Sequence, residues 1–188
     1  MAARLKSSRN HPQKAPMKTA IHTALQAVLL ATATLTAHTA FSQTPAPAVR
    51  TERNMSLELA NQLAGATVAA CSAGGYNVTA AVVDRAGQLR ALHRADQAGP
   101  HTVAAAQAKA YTSASARNTT LLMMEGAQKN PAAANVAQIP GFLLLGGGVP
   151  VKVGNDVIGA IGVGGAPGGL LDEQCAMAAL DKAKEWLK

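Results

Sequence analysis

The stretch FLLLGGGVPVKVGNDVIGAIGVGGAPGG, residues 142–169, concentrates much of the chain's glycine, and its reading decides the fold. Two readings compete: a phosphate-cradling loop of a nucleotide enzyme, or the strand ends and turns of a small sheet. A dinucleotide fingerprint needs a glycine run between a strand and a helix, and residues 162–168 satisfy that much. No strand follows the helix, however, so there is no βαβ unit and no place for an acidic residue on the ribose. Asp172 and Glu173 open that helix with negative charge, which would repel the pyrophosphate its amides should attract. The Lys and Ser/Thr of a Walker loop are missing too. The stretch therefore reads as strands over 142–145, 149–153 and 157–163, with Gly154-Asn155 as a two-residue hairpin turn.

Upstream, Ser56 is an N-cap, and Leu59, Leu63, Ala66 and Ala70 repeat at helical spacing until Gly74-Gly75. YNVTAAVVDRAGQLRALHR, residues 76–94, places β-branched runs on both sides of Asp84-Arg85-Ala86-Gly87 and predicts a hairpin. Gly99-Pro100 then opens the alanine-rich HTVAAAQAKAYTSASARNT, residues 101–119, with proline where its missing N–H costs nothing. Such a helix can approach a sheet, a partner helix or a flat ligand closely. A short helix over 121–129 stops before Pro131, and 131–141 reads as a loop. Downstream, Asp172 begins a last helix with Ala176, Leu180, Ala183 and Leu187 on one face and three lysines toward its negative end. The order predicts an α+β (α/β layered) domain with a mainly antiparallel sheet of about five strands flanked by helices.

The first forty or so residues are of another kind. From Met17 a lysine precedes the apolar run 21–37, and Ala40-Phe41-Ser42 supplies small residues for cleavage after Ser42, the pattern of a secretory signal peptide over 17–42. Threonine and histidine within the run argue against a permanent membrane span. Residues 1–16 read as an upstream extension, 43–55 as a flexible tether and 56–188 as the domain. Cleavage would remove five of the 17 basic groups and none of the ten acidic ones, taking the net charge from +7 to about +2. Nucleic-acid binding loses its electrostatic support with the leader. Export implies an oxidising periplasmic or extracellular setting, in which Cys71 and Cys175 are either a disulfide or two buried thiols.

Three segments carry a resemblance: AVVDRAGQLRALHRAD (81–96), AQAKAYTSAS (106–115) and GGGVPVKVGNDVIGAIGVGGAP (146–167). Together they resemble the GlcG/HbpS haem-binding family from about Ser56 to Lys188. The resemblance implies a profilin-like domain that assembles into homo-oligomers. It also implies tetrapyrrole binding, in some members alongside a sensor kinase and in others alongside glycolate-utilisation enzymes.

Three of the five histidines go with the leader, leaving His93 and His101, so a three-histidine zinc site within one chain is excluded. A haem needs one or two axial ligands and an apolar slot. His101 is the preferred iron ligand, because it stands in the first turn after Gly99-Pro100 on a fixed backbone. His93 is the second choice and otherwise a surface strand residue. Tyr111 is a phenolate ligand or haem neighbour, with ordinary packing as the alternative. Arg90, Arg94 and Lys109 are candidates to pair with propionates or a small carboxylate. No Ser-His-Asp or Cys-His arrangement can be assembled from spacing, and no catalytic residue is assigned. The expected function is that of an exported haem- or tetrapyrrole-binding protein, in haem sensing or sequestration. The alternative is an enzyme or accessory protein of small hydroxy-acid or aromatic-acid catabolism, holding a carboxylate on Arg94 or Lys109.

Overall fold

The computed structural model describes residues 48–188. The expected extension, signal peptide and first part of the tether lie outside the described residues. Helix α1, Leu57–Ala73, starts where the Ser56 hydroxyl accepts from the Leu59 N–H. It buries Ala60, Leu63, Ala64, Thr67 and Cys71, one stripe at helical spacing. Strands β1, Thr79–Asp84, and β2, Leu89–Arg94, form the expected hairpin. At its turn Asp84 Oδ1 accepts from the N–H groups of Ala86 and Gln88. Helix α2 is His101–Ala116, and α3, Thr120–Lys129, begins on a Thr119 cap. Strands β3, Gly148–Val153, and β4, Asp156–Gly164, turn on Gly154-Asn155, and α4, Gly169–Lys182, closes the fold.

The sheet has four strands in the order β2-β1-β4-β3, every neighbour antiparallel. The expected fifth strand, 142–145, is irregular backbone. Its polar groups are taken by the helices instead of a ladder: the Leu143 N–H donates to Thr112 Oγ1, and the Leu145 carbonyl accepts from Thr120 Oγ1. The expected loop after Pro131 winds into 3-10 turns over Pro131–Gln138. The end of the expected tether is tied down: Asn54 Oδ1 accepts from the Arg85 N–H, and buried Met55 donates its N–H to the Ile158 carbonyl.

Three layers result. On one face of the sheet α1 and α4 share a core with Val78, Val82, Ile161 and Val163, each such side chain contributing about 1.5–3 kcal/mol by burial. On the other face α2 lays Ala110 and Ala114 on Val83 and Ala160. Here β4 must be flat, and it is glycine that makes it so. A Cβ at Gly162 would lie 2.0 Å from the Ala106 carbonyl oxygen and 2.5 Å from the Ala110 nitrogen, both backbone of α2. Gly162 is thus a seat for α2, and Gly154 serves the β3–β4 turn.

Cys71 of α1 and Cys175 of α4 form a disulfide, which settles the alternative left open by the sequence. The bridge spans 104 residues. Loop entropy for that span predicts that the Cys71→Ser/Cys175→Ser protein loses about 4–5 kcal/mol of unfolding free energy, measured in urea. An unchanged midpoint would refute the bridge. Gly162→Ala, which drives a methyl into α2 backbone, should cost about 1–3 kcal/mol or more in the same assay; an unchanged stability would mean that α2 is not seated this closely.

Candidate functional site

A concavity opens on the outer side of α2. Helical spacing lines up His101, Ala104, Gln107, Ala108 and Tyr111 on one stripe, of which His101, Ala104 and Tyr111 are exposed. A groove of about 630 Å³ runs between this stripe, the β1–β2 hairpin and the loop at Pro140-Gly141. Val83, Leu89, Ala104, Ala108 and Tyr111 form most of its wall, and no charged residue lines it. That volume lies within the roughly 300–1,000 Å³ of small-molecule sites.

Tyr111 is held by its neighbours. Gly87 has a φ of +78°, and a Cβ there would lie 2.7 Å from the tyrosine Cδ2. Phe142 meets the ring edge-on, with centroids 6.2 Å apart at 76°. The ring is therefore a fixed wall of the groove, packed on one side and 38 % exposed on the other.

His101 stands three residues before Ala104 on the same stripe, exposed, with its ring folded back beside Gly99. It extends the stripe beyond the groove wall. His101 and Tyr111 are about 15 Å apart along the helix axis at 1.5 Å per residue. His93 is elsewhere. It pairs with Ala80 on β1 and its ring lies 3.6 Å from where a Cβ of Gly65 in α1 would be, so it stands on the α1 face of the sheet. The sheet separates the two histidines. Arg94 is exposed at the end of β2, where its Nε donates to the Ala98 carbonyl at 3.0 Å.

Lys109 requires a correction. It was expected as an anchor for a propionate or carboxylate, but its side chain is 2 % exposed, and the ammonium donates to Asp172 Oδ2 and to the Val163 carbonyl, each at 2.8 Å. The other carboxylate oxygen, Asp172 Oδ1, accepts from the Ala166 N–H. The last helix begins at Gly169, three residues earlier than expected, so Asp172 sits inside its first turn and not at its exposed start. Burial pushes the Asp172 carboxyl up, while the hydrogen bond and charge of Lys109 oppose that shift. The pair links α2 to α4 past the entrance to β3. Gly147, with a φ of +117°, makes room for it: a Cβ there would lie 2.7 Å from Asp172 Cβ and 3.1 Å from Lys109 Nζ. Beside it, burial also raises the Glu173 carboxyl, opposed by the backbone N–H groups of Gly147 and Leu121.

A family model described as haem degrading protein HbpS-like matches residues 55–181. The chain belongs to the HbpS-like family. Among curated relatives it is 38% identical to Protein GlcG of Escherichia coli K12 over 109 residues, 56% of this chain and 80% of GlcG. Among solved structures, a double mutant of HbpS from Streptomyces reticuli superposes with a TM-score of 0.68 at 36% identity, covering 74% of this chain and 96% of that one. The haem complex of PduOC, at 21% identity and a TM-score of 0.61 over 68% of this chain and 94% of that one, shares the HbpS-like fold.

Among the site residues, sequence reasoning missed Leu89, Ala104 and Ala108 as groove wall and Asp172 as the partner of Lys109. The signal for the latter was present: Lys109 falls between Ala106 and Ala110 on the stripe that faces the sheet. A lysine there needs a buried counter-charge. Asp172→Asn leaves the ammonium unpaired and should cost about 3–5 kcal/mol of stability in urea, whereas Lys109→Met/Asp172→Leu should recover most of it. If the single and the double variants are equally unstable, the pair is not what holds α2 to α4.

Proposed function

We propose that this chain is an exported protein that binds haem or a related tetrapyrrole along the α2 groove, with His101 as the iron ligand and Tyr111 as a wall against the macrocycle. The observation that carries the reading is the uncharged groove floored by Ala104 and Ala108, which accepts a flat apolar ring, next to an exposed imidazole on the same stripe. The residues present fit a haem held by one histidine of the protomer. His93, across the sheet, is withdrawn from the ligand set. Tyr111, about 15 Å along the helix from His101, is too distant to share an iron with it, since metal–ligand bonds are about 2 Å. When bound, the haem would supply redox-active iron; the chain's part is to bind, orient and shield the ring. Membership of a family of HbpS-like haem degrading proteins and the haem complex of the similarly folded PduOC support the ligand class.

The signal-like leader and the disulfide support a periplasmic or secreted location. We place the protein in haem sensing or sequestration, as a homo-oligomer and with a sensor kinase as its candidate partner. The alternative, accessory work in hydroxy-acid or aromatic-acid catabolism, draws on the likeness to GlcG. It put the carboxylate on Arg94 or Lys109, and both now have internal partners. Titrating haemin into the mature protein should shift the Soret band at near-stoichiometric ratio, and His101→Ala should weaken binding at least tenfold. No shift at micromolar haemin removes the reading; an unaltered titration in His101→Ala removes the ligand assignment.

A further inference from the structure

We propose that Arg90 is the anion anchor of the α2 groove, so that its occupant is an aromatic ring system bearing a carboxylate. The inference deepens the groove reading above and rests on it. It begins with an irregularity in the hairpin. Val82 pairs with Ala91, but Val83 pairs with Leu89, so β2 spends one extra residue against β1, and that residue is Arg90. A bulge of this kind breaks the alternation of side chains and re-aims them.

The faces on either side of the bulge are known. Ala91 belongs to the core with α1, as does its partner Val82. Leu89 and its partner Val83 line the groove on the α2 side. Alternation from Ala91 carries Arg90 to the α2 side as well. Two consecutive residues of β2 therefore share that face: Leu89 lines the groove, and Arg90, next to it in the strand, is an exposed cation. Without the bulge one of them would point to α1.

The other arginines of the hairpin are committed. Arg85 pairs with Glu52 at 3.3 Å and donates to the Val157 carbonyl, and Arg94 donates to the Ala98 carbonyl. Arg90 makes no ion pair or hydrogen bond among the described residues. It lies on an edge strand, since β2 ends the sheet, so nothing in the fold's own ladder lies beyond it. A groove lined without charge, with one uncommitted guanidinium beside it, sorts ligands by a simple rule. The ring enters the apolar wall, and an acid group on its periphery reaches the rim, where guanidinium binds carboxylate in a fork.

The test uses mature protein and four probes: haemin, iron-free protoporphyrin IX, and the dimethyl ester of each. Arg90→Gln should weaken both free acids roughly tenfold, the order of one charge-assisted contact, and leave both esters unchanged. Arg90→Lys should restore part of the loss, and thermal midpoints should match wild type because the side chain is exposed. Equal affinity of wild type and Arg90→Gln for the acids overturns the anchor while leaving haem binding intact. Arg90-dependent binding of protoporphyrin, with a haemin titration indifferent to His101, supports the anchor and overturns iron ligation by His101. Absence of binding by all four probes overturns both.

Discussion

A lysine ammonium enclosed in protein has to be answered by a charge, and the answer given to Lys109 organises this domain. Asp172 meets it at 2.8 Å, and the Val163 carbonyl accepts a second hydrogen bond from the ammonium. Removing two ions from water is costly, and their attraction repays the cost only where geometry and further hydrogen bonds are good. The glycines around the pair satisfy that condition. Gly147 clears the space between lysine and aspartate, and Gly162 brings α2 down until its backbone touches β4. The approach of α2 and the depth of Lys109 are one geometric fact: a longer residue on β4 would lift the helix and pull the ammonium away from its partner.

The two faces of the sheet consequently have different characters. The α1 and α4 face is filled by Leu63, Val82, Ile161 and Val163 and closed by a disulfide. The α2 face is built largely from small side chains around Val83, and it leaves a groove between the helix and the hairpin. Small side chains serve twice here: inward they let the helix sit close, and outward they leave a smooth floor. An HbpS-like chain can in this way present an open groove on a helix whose inner side is among the most constrained parts of the fold.

Much of this was legible in the sequence. Turn chemistry marked both hairpins, and the Ser56 cap and Gly74-Gly75 marked α1, because these are local signals with local causes. The segment 142–145 deceived, since its four apolar residues look like a strand, whereas the Thr112 hydroxyl accepts from the Leu143 N–H and the Thr120 hydroxyl donates to the Leu145 carbonyl. Lys109 and Arg94 were read as candidate anchors for a ligand's carboxylate for the same reason: charge is visible in a sequence and the partner that neutralises it is not. The separation of His93 from His101 depends on strand register, which a one-residue shift would reverse. Tyr111 was noticed for its chemistry, but its place as a wall is set by Gly87 and Phe142, neither of which is near it in the chain.

The disulfide and the buried pair also meet in one helix. Asp172 and Cys175 lie three residues apart in α4, so a charge and a covalent bond fasten the same turn, one toward α2 and the other toward α1. The remainder of α4 and the 3-10 turn Lys184–Trp186 run on from that rivet toward an exposed C-terminus. Mechanical load applied at Lys188, by a fused domain or a surface attachment, would peel the last turns first and be arrested at Cys175. The layers that shape the groove would not feel the pull.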